Sequence, residues 1–146
     1  MDVIHGKCLC GQTEFKLSGT LPDIYQCHCS QCRKATGSSS NAAIIISNEQ
    51  FQWVRGQDLI TSYISDTGYR SDFCSRCGSP VPNPLTGRLE YWIPVGLLEE
   101  NTRLKIGVHL YAGSKTEWDI IPGHHPQYQE TPGLDTVLKI LRTGTP

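Results

Sequence analysis

The sequence Cys27-His28-Cys29-Ser30-Gln31-Cys32 places three thiols within six residues, and two further pairs, Cys8-Leu9-Cys10 and Cys74-Ser75-Arg76-Cys77, complete a set of seven cysteines. In an extended segment residues i and i+2 project from the same face, so a Cys-x-Cys pair can offer two sulfur atoms to one metal ion. A Cys-x-x-Cys turn does the same by curling. The three groups therefore predict metal binding.

Zinc is the metal that these ligands favour. Structural zinc sites have four tetrahedral protein ligands, whereas catalytic sites have three and keep a fourth position for water or substrate. The natural division of seven cysteines is four plus three. We expect a closed structural site from the two remote pairs, an open catalytic site from the group of three, and two zinc ions per chain: the first set is Cys8, Cys10, Cys74 and Cys77, and the second is Cys27, Cys29 and Cys32.

Other interpretations of the cysteines remain open. All seven could serve folding alone, with His28 or another side chain completing the second site. In an extended segment His28 would point away from its two flanking cysteines. Cys74 and Cys77 could instead form a redox pair, although no βαβ pattern surrounds them. An odd number of cysteines cannot all pair as disulfides within one chain.

Composition indicates an intracellular protein of one domain, residues 1–146. The chain has 146 residues, a net charge of -1 and 38% hydrophobic residues, and its basic residues are scattered. We therefore expect no nucleic-acid partner and no membrane partner. No apolar signal segment and no stretch of about 20 apolar residues is evident, which favours a cytoplasmic protein with reduced thiols.

Short apolar runs between Gly, Pro, Asn and Asp predict a mainly β fold. The candidate strands, rich in β-branched or aromatic residues, are Gln12–Ser18, Ala42–Ser47, Phe51–Arg55, Thr61–Ser65, Leu89–Val95 and Lys105–Leu110.

A short C-terminal helix is predicted by apolar residues at helical spacing, with Thr131 as N-cap, Pro132 at the first helical position and Gly144 beyond the end. The apolar residues are Leu134, Val137, Leu138 and Leu141. The polar stretch Arg33–Ser40 is expected to form a loop beside the metal.

In five segments the chain resembles the glutathione-dependent formaldehyde-activating enzyme family, which includes centromere protein V. These segments are GKCLCG (6–11), CHCSQCRKATGS (27–38), FCSRCGSPV (73–81), IPVGLLEE (93–100) and HLYAGSKTEW (109–118). The cysteine set is the most specific part, because all three groups appear in the family's order. The resemblance implies a β-tent fold of several short coiled β-sheets around zinc, with the same structural and catalytic cysteine sets as above.

The family's name activity joins formaldehyde and glutathione to give S-hydroxymethylglutathione, the reverse of a carbon-sulfur lyase reaction. A zinc ion with three thiolate ligands can bind a substrate thiol as thiolate and polarise a carbonyl. We therefore predict a zinc-dependent carbon-sulfur lyase that acts on a thiol-aldehyde adduct, with a small thiol such as glutathione as partner. The alternative is a non-enzymatic zinc-stabilised binding or scaffold module, because the motifs contain no clear general acid or base.

A few residues outside the cysteine set are weaker candidates. Arg33, Lys34 and Lys115 could bind the carboxylates of a glutathione-like substrate. His109 could line the open site, and Trp118 could stack on a substrate. No role is assigned to the remaining histidines, His5, His124 and His125. The Lys115–Trp118 segment and the His124-His125 pair depart from the family pattern, which leaves the choice of substrate open.

Overall fold

A computed structural model describes residues 2–99 and 103–146, which form ten short β-strands and two α-helices. In chain order the elements are β1 (Val3–Lys7), β2 (Glu14–Ser18), β3 (Ile24–Cys27), α1 (Ser30–Thr36), β4 (Asn41–Ser47), β5 (Phe51–Arg55), β6 (Ile60–Ile64), β7 (Arg70–Cys74), β8 (Asn83–Pro84), β9 (Glu90–Pro94), β10 (Ile106–Leu110) and α2 (Leu134–Thr143). The prediction of a mainly β chain with several small sheets and a short C-terminal helix is confirmed.

The chain divides into two compact units. The first contains Met1–Leu21 and Ile45–Arg103, and the second contains Pro22–Ile44 and Leu104–Pro146. One domain over residues 1–146 stays a prediction. The four cysteines of the two remote pairs belong to the first unit, and the three clustered cysteines belong to the second.

The first unit is built from small antiparallel sheets. Strands β1, β2 and β5 form one sheet in that order, β6 pairs with β7, and β8 pairs with β9. The register places Gly6 opposite Phe15, whose ring would lie 2.4 Å from a Cβ atom at Gly6. Phe15 is fully buried because this glycine leaves room for its ring.

The second unit contains β3 between a parallel and an antiparallel neighbour. Strand β10 runs parallel to β3, and β3 pairs with the start of β4 in antiparallel register. Helix α2 packs on β10 through its apolar face, on which Val137, Leu138, Ile140 and Leu141 are buried. In this sheet Cys27 lies at the end of β3, directly opposite Asn41 at the start of β4.

All six predicted strands exist, as β2, β4, β5, β6, β9 and β10. The bounds of β5 are as predicted, and the other five differ by one or two residues at one or both ends. The sequence did not reveal β1, β3, β7 and β8. Charged or glycine residues interrupt β1 and β7, β3 has only four residues and β8 is the dipeptide Asn-Pro, so none shows a continuous β-like run. Backbone hydrogen bonds with neighbouring strands stabilise these four strands, although their own sequences do not favour the β conformation strongly.

The predicted loop at Arg33–Ser40 is wrong over its first half, because α1 continues to Thr36. Gly37 then ends the helix with a left-handed backbone, φ 64°. Helix α2 ends at Thr143, directly before Gly144, as predicted. The predicted start is wrong, because the helix begins at Leu134 with Gly133 as N-cap, whereas Thr131 accepts a hydrogen bond from the Gly133 amide and Pro132 precedes the helix. Neither helix in the described part of the chain has the length and apolar character needed to cross a bilayer.

Candidate metal centres

Four thiols of the first unit converge. The sulfur atoms of Cys8, Cys10, Cys74 and Cys77 all lie within 4.8 Å of one another. Cys8 and Cys74 are buried against Val81, whereas Cys10 is exposed. Two remote segments of the first unit thus share one sulfur cluster, which we call the four-thiol group.

A tight turn holds the N-terminal pair in place. The amide of Gly11 donates to the Cys8 carbonyl at 3.0 Å, and the amide of Thr13 lies 3.4 Å from Cys8 Sγ. From β5, Arg55 donates to the Gly11 carbonyl at 3.0 Å and also pairs with Glu14 at 3.0 Å. Hydrogen bonds within the turn and from Arg55 on β5 therefore both hold the turn in place.

Ser79 connects the second pair to the first. Its carbonyl accepts from the Cys74 amide at 2.9 Å, its hydroxyl accepts from the Leu9 amide at 2.9 Å, and Oγ lies 3.4 Å from Cys77 Sγ. Burial raises the pKa of the Cys77 thiol, but hydrogen bonds with Ser79 and Cys10 outweigh burial and lower this pKa to about 5. Cys77 is thus prepared to bind a cation as thiolate.

Three thiols of the second unit form a separate cluster, the three-thiol group. The sulfur atoms of Cys27, Cys29 and Cys32 lie within 4.8 Å of one another. Cys27 ends β3, Cys29 is the N-cap of α1, and Cys32 lies in the first turn of that helix, where its amide donates to Cys29 Sγ at 3.3 Å. Because β3 ends at Cys27 and α1 begins only three residues later, the chain bends sharply and the three sulfur atoms converge.

Cys27 and Cys32 differ in acidity because they share a hydrogen bond. A hydrogen bond with Cys32 lowers the pKa of Cys27 to about 6, despite the opposing effect of burial. The same hydrogen bond, followed by burial, raises the pKa of Cys32. Cys27 therefore ionises before Cys32.

The sulfur spacing suits a tetrahedral metal ion. Zinc-sulfur bonds of about 2.3 Å at tetrahedral angles separate two sulfur atoms by about 3.8 Å. In the four-thiol group, the sulfur atoms of Cys8 and Cys10 are 3.5 Å apart, and those of Cys10 and Cys74 are 3.9 Å apart. Both groups could hold a metal ion. In the described residues no fourth cysteine, histidine or carboxylate joins the three-thiol group.

A chain of imidazoles begins between the cysteines of the three-thiol group. His28 is 1% exposed, and its Nε2 lies 2.9 Å from His109 Nδ1, while His109 Nε2 lies 3.0 Å from His125 Nδ1. At the other end, His28 Nδ1 lies 2.9 Å from Asp119 Oδ2, although the two groups are poorly aligned for a hydrogen bond. We call Asp119, His28, His109 and His125 the histidine chain.

Backbone pairing positions the histidine chain. The amide of His28 donates to the Leu110 carbonyl at 2.9 Å, which fixes β10 beside the cysteine segment. His109 donates to the Pro126 carbonyl and accepts from the Tyr128 amide, both at 2.9 Å, and this brings His125 alongside. The three imidazoles therefore meet because separate segments pair, without any local motif.

Burial governs the charge of the inner imidazoles. Burial lowers the pKa of His28, although the Asp119 carboxylate acts in the opposite direction. Burial, with added repulsion from His28 and His125, lowers the pKa of His109 to about 4. His109 is therefore neutral at pH 7.

Sequence reasoning missed part of this site. It assigned no role to His125, which is half-buried and bonded to His109, and did not consider Asp119 or Asn41. No periodic pattern marks these residues. The one usable signal was the position of Asn41 immediately before a predicted strand.

The other candidates lie in different environments. Arg33 is half-buried and its Nε atom has no partner among the described residues, whereas Lys34 is exposed. Lys115 is exposed and donates to the Asp119 carbonyl at 3.1 Å. Trp118 is 69% exposed and His124 is exposed.

Comparison with known proteins identifies a family and a similar fold. Residues 3–114, which include all seven, match the model of a family described as glutathione-dependent formaldehyde-activating enzyme. The crystal structure of a Rhodobacter sphaeroides protein from a structural genomics programme is similar in fold. It has a TM-score of 0.56 and 24% identity, and the match covers 85% of this chain and 99% of that chain. The comparison with curated proteins finds no match.

Proposed function

The chain belongs to the glutathione-dependent formaldehyde-activating enzyme family, and we propose that it is a zinc-dependent carbon-sulfur lyase acting on a thiol-aldehyde adduct such as S-hydroxymethylglutathione. The observation that carries this proposal is the three-thiol group, which has one ligand fewer than a closed site needs. We further propose two zinc ions per chain and a cytoplasmic location.

The two cysteine groups have different roles in this proposal. Cys8, Cys10, Cys74 and Cys77 would hold a structural zinc ion that stabilises the first unit. Cys27, Cys29 and Cys32 would hold a catalytic zinc ion. When bound there, zinc supplies a soft Lewis acid that stabilises the substrate sulfur as thiolate and so lowers the pKa of the thiol.

The protein supplies orientation around the reacting group. Cys29 and Cys32 are fixed by the first turn of α1, and Cys27 by its place in β3. Between Cys27 and Cys29, His28 is 1% exposed and contacts His109 and Asp119, so this part of the cysteine segment is anchored in the interior. The three sulfur atoms can therefore keep their positions while a substrate enters and leaves.

The reaction balances without an oxidant or reductant. In cleavage of S-hydroxymethylglutathione, the carbon-sulfur bond breaks and its electron pair leaves on sulfur. The electron pair of the hydroxyl O–H bond forms the carbonyl of formaldehyde, and the proton passes to solvent. The reverse sequence joins the thiol and the aldehyde.

Basic residues of the second unit favour an anionic thiol as substrate. Arg33 follows Cys32 directly in α1, and its Nε atom is buried without a partner among the described residues. A guanidinium group in this state is suited to a carboxylate. Glutathione carries two carboxylates, and the exposed Lys34 and Lys115 are the candidate partners of the second one, with Lys115 also donating to the Asp119 carbonyl.

The decisive experiment compares zinc-loaded native protein with Cys32→Ser in the cleavage of S-hydroxymethylglutathione, followed by formaldehyde release. We expect the native protein to exceed the uncatalysed rate, to lose activity on zinc removal and to regain it on zinc addition. Cys32→Ser should be folded by circular dichroism and inactive. Full activity of Cys32→Ser would refute the catalytic role of the three-thiol group.

The same experiment separates the enzyme from a non-enzymatic scaffold module. A scaffold would hold zinc in both groups but would not accelerate cleavage or formation of the adduct. Zinc loading without turnover in the native protein would therefore favour the scaffold and reject the lyase.

A further inference from the structure

Asn41 lies directly beside the three-thiol group. It is the first residue of β4 and the antiparallel partner of Cys27. Side chains of directly opposite residues in such a pair lie on the same face of the sheet. Asn41 is only 6% exposed, so its amide is buried on the face that carries Cys27.

One end of this amide is bound to a cysteine sulfur. Asn41 Nδ2 donates to Cys32 Sγ at 3.3 Å. Hydrogen bonds to metal-binding side chains orient those side chains, and their loss typically weakens metal binding about 10-fold to 100-fold. Asn41 therefore orients the Cys32 sulfur through a hydrogen bond, without itself being one of the three thiol ligands.

The other end of the amide has no partner. Asn41 Oδ1 is buried, and no donor of the described residues reaches it. Buried carbonyl oxygens almost always accept a hydrogen bond. His28 Nδ1 and Asp119 Oδ2 are different, because these two atoms face each other at 2.9 Å. Asn41 Oδ1 can therefore accept a hydrogen bond from a bound ligand.

We propose that Asn41 is a substrate-binding residue whose Oδ1 accepts a hydrogen bond from the hydroxyl on the carbon next to the substrate sulfur. This inference rests on the proposed lyase function and names the residue that binds the hydroxyl of the thiol-aldehyde adduct. Asn41 takes no proton, since an amide oxygen is not a base at neutral pH. It orients the O–H bond, and the proton leaves to solvent.

The contact with Cys32 is tested by withdrawing zinc with a chelator. We expect Asn41→Leu to release one of its two zinc equivalents at a chelator concentration about 10-fold to 100-fold lower than the native protein. Asn83→Leu is the matched control, because Asn83 is also 6% exposed but donates to the Pro84 carbonyl. Asn41→Ala replaces Asn41→Leu if the leucine variant does not fold.

The contact with the hydroxyl is tested at saturating zinc with two ligands that differ only in that group. We expect Asn41→Leu to lower kcat/KM for S-hydroxymethylglutathione about 10-fold or more, the range expected for one lost hydrogen bond with a buried acceptor. The inhibition constant of S-methylglutathione should not change, because this ligand has no hydroxyl. Asn83→Leu should match the native protein with both.

Each result decides the proposal. Chelator curves that are identical for native and Asn41→Leu would overturn the role of Asn41, whether or not the protein is a lyase. Equal losses with both ligands would overturn the hydroxyl contact. No turnover by the native protein would overturn the lyase function and the hydroxyl contact together.

Discussion

His109 is a buried histidine whose neutral form stabilises the folded protein. Its pKa is lowered to about 4 by burial and by His28 and His125, whereas an unfolded chain has a histidine pKa of about 6.5. The unfolded state therefore binds a proton at a higher pH than the folded state. The contribution to stability is complete above about pH 6.5 and is lost as the pH falls toward 4.

We predict that His109→Gln weakens this acid sensitivity. Between pH 7 and pH 5, the free energy of unfolding of the native protein should fall by about 2 kcal/mol more than that of His109→Gln. Urea unfolding at the two pH values measures the difference. His124→Gln, a change at an exposed histidine, should keep the native pH dependence. The same pH dependence in His109→Gln and native protein would contradict the prediction.

Cys77 is the residue through which we test the four-thiol group. A structural zinc ion contributes roughly 10 kcal/mol or more to the folding of small domains. Cys77→Ser should therefore lose both zinc and soluble yield, measured by elemental analysis and by the soluble fraction after expression. The control is Ser75→Ala, an exposed position in the same turn. A soluble, zinc-replete and active Cys77→Ser would show that Cys77 is not a ligand.

At the scale of elements, the turn after β1 depends on a glycine that follows β5. Gly56 has φ 83°, and a Cβ atom there would lie 2.1 Å from the Gln12 carbonyl oxygen and 2.7 Å from Thr13 Cα. Thr13 closes the turn that carries Cys8 and Cys10. An alanine at this position must therefore displace the backbone that supports the four-thiol group.

We predict that Gly56→Ala destabilises the protein more than Gly68→Ala. Gly68 has φ 87°, but a Cβ atom there would meet no other atom of the described residues within 4 Å. Both variants incur the left-handed backbone cost of about 1–2 kcal/mol, and overpacking should add about 1–3 kcal/mol at Gly56 alone. Urea unfolding of the zinc-loaded variants gives the two values. Equal destabilisation would mean that the turn tolerates displacement.

At the scale of the whole molecule, the four-thiol group and the three-thiol group together predict how much metal the protein binds. Elemental analysis of protein purified under reducing conditions should give about two zinc ions per chain. A variant with Cys27, Cys29 and Cys32 all changed to serine should keep one and remain folded. About one zinc ion in both proteins would show that the three-thiol group is not a stable metal site.

Much of the fold could be predicted because its signals are local. The six predicted strands contain β-branched or aromatic residues between turn residues, and the apolar spacing of α2 marks a helix. Helix α1 was missed because its residues, SQCRKAT, have no apolar face, and its start depends on the Cys29 cap. Strands β1, β3, β7 and β8 are evident only from their pairing with other strands, which the sequence does not specify.

The sequence by itself determined the two local cysteine pairs and the cluster of three, because Cys-x-Cys and Cys-x-x-Cys spacing constrains neighbouring sulfur positions through backbone geometry alone. Only the tertiary structure decided that the two remote pairs meet in the four-thiol group, and what surrounds the three-thiol group. His28 and His109 are 81 residues apart and meet because β10 pairs with β3, and Asn41 reaches Cys32 because β4 starts opposite Cys27. Such contacts depend on strand register between distant segments, and no local spacing in the sequence specifies that register.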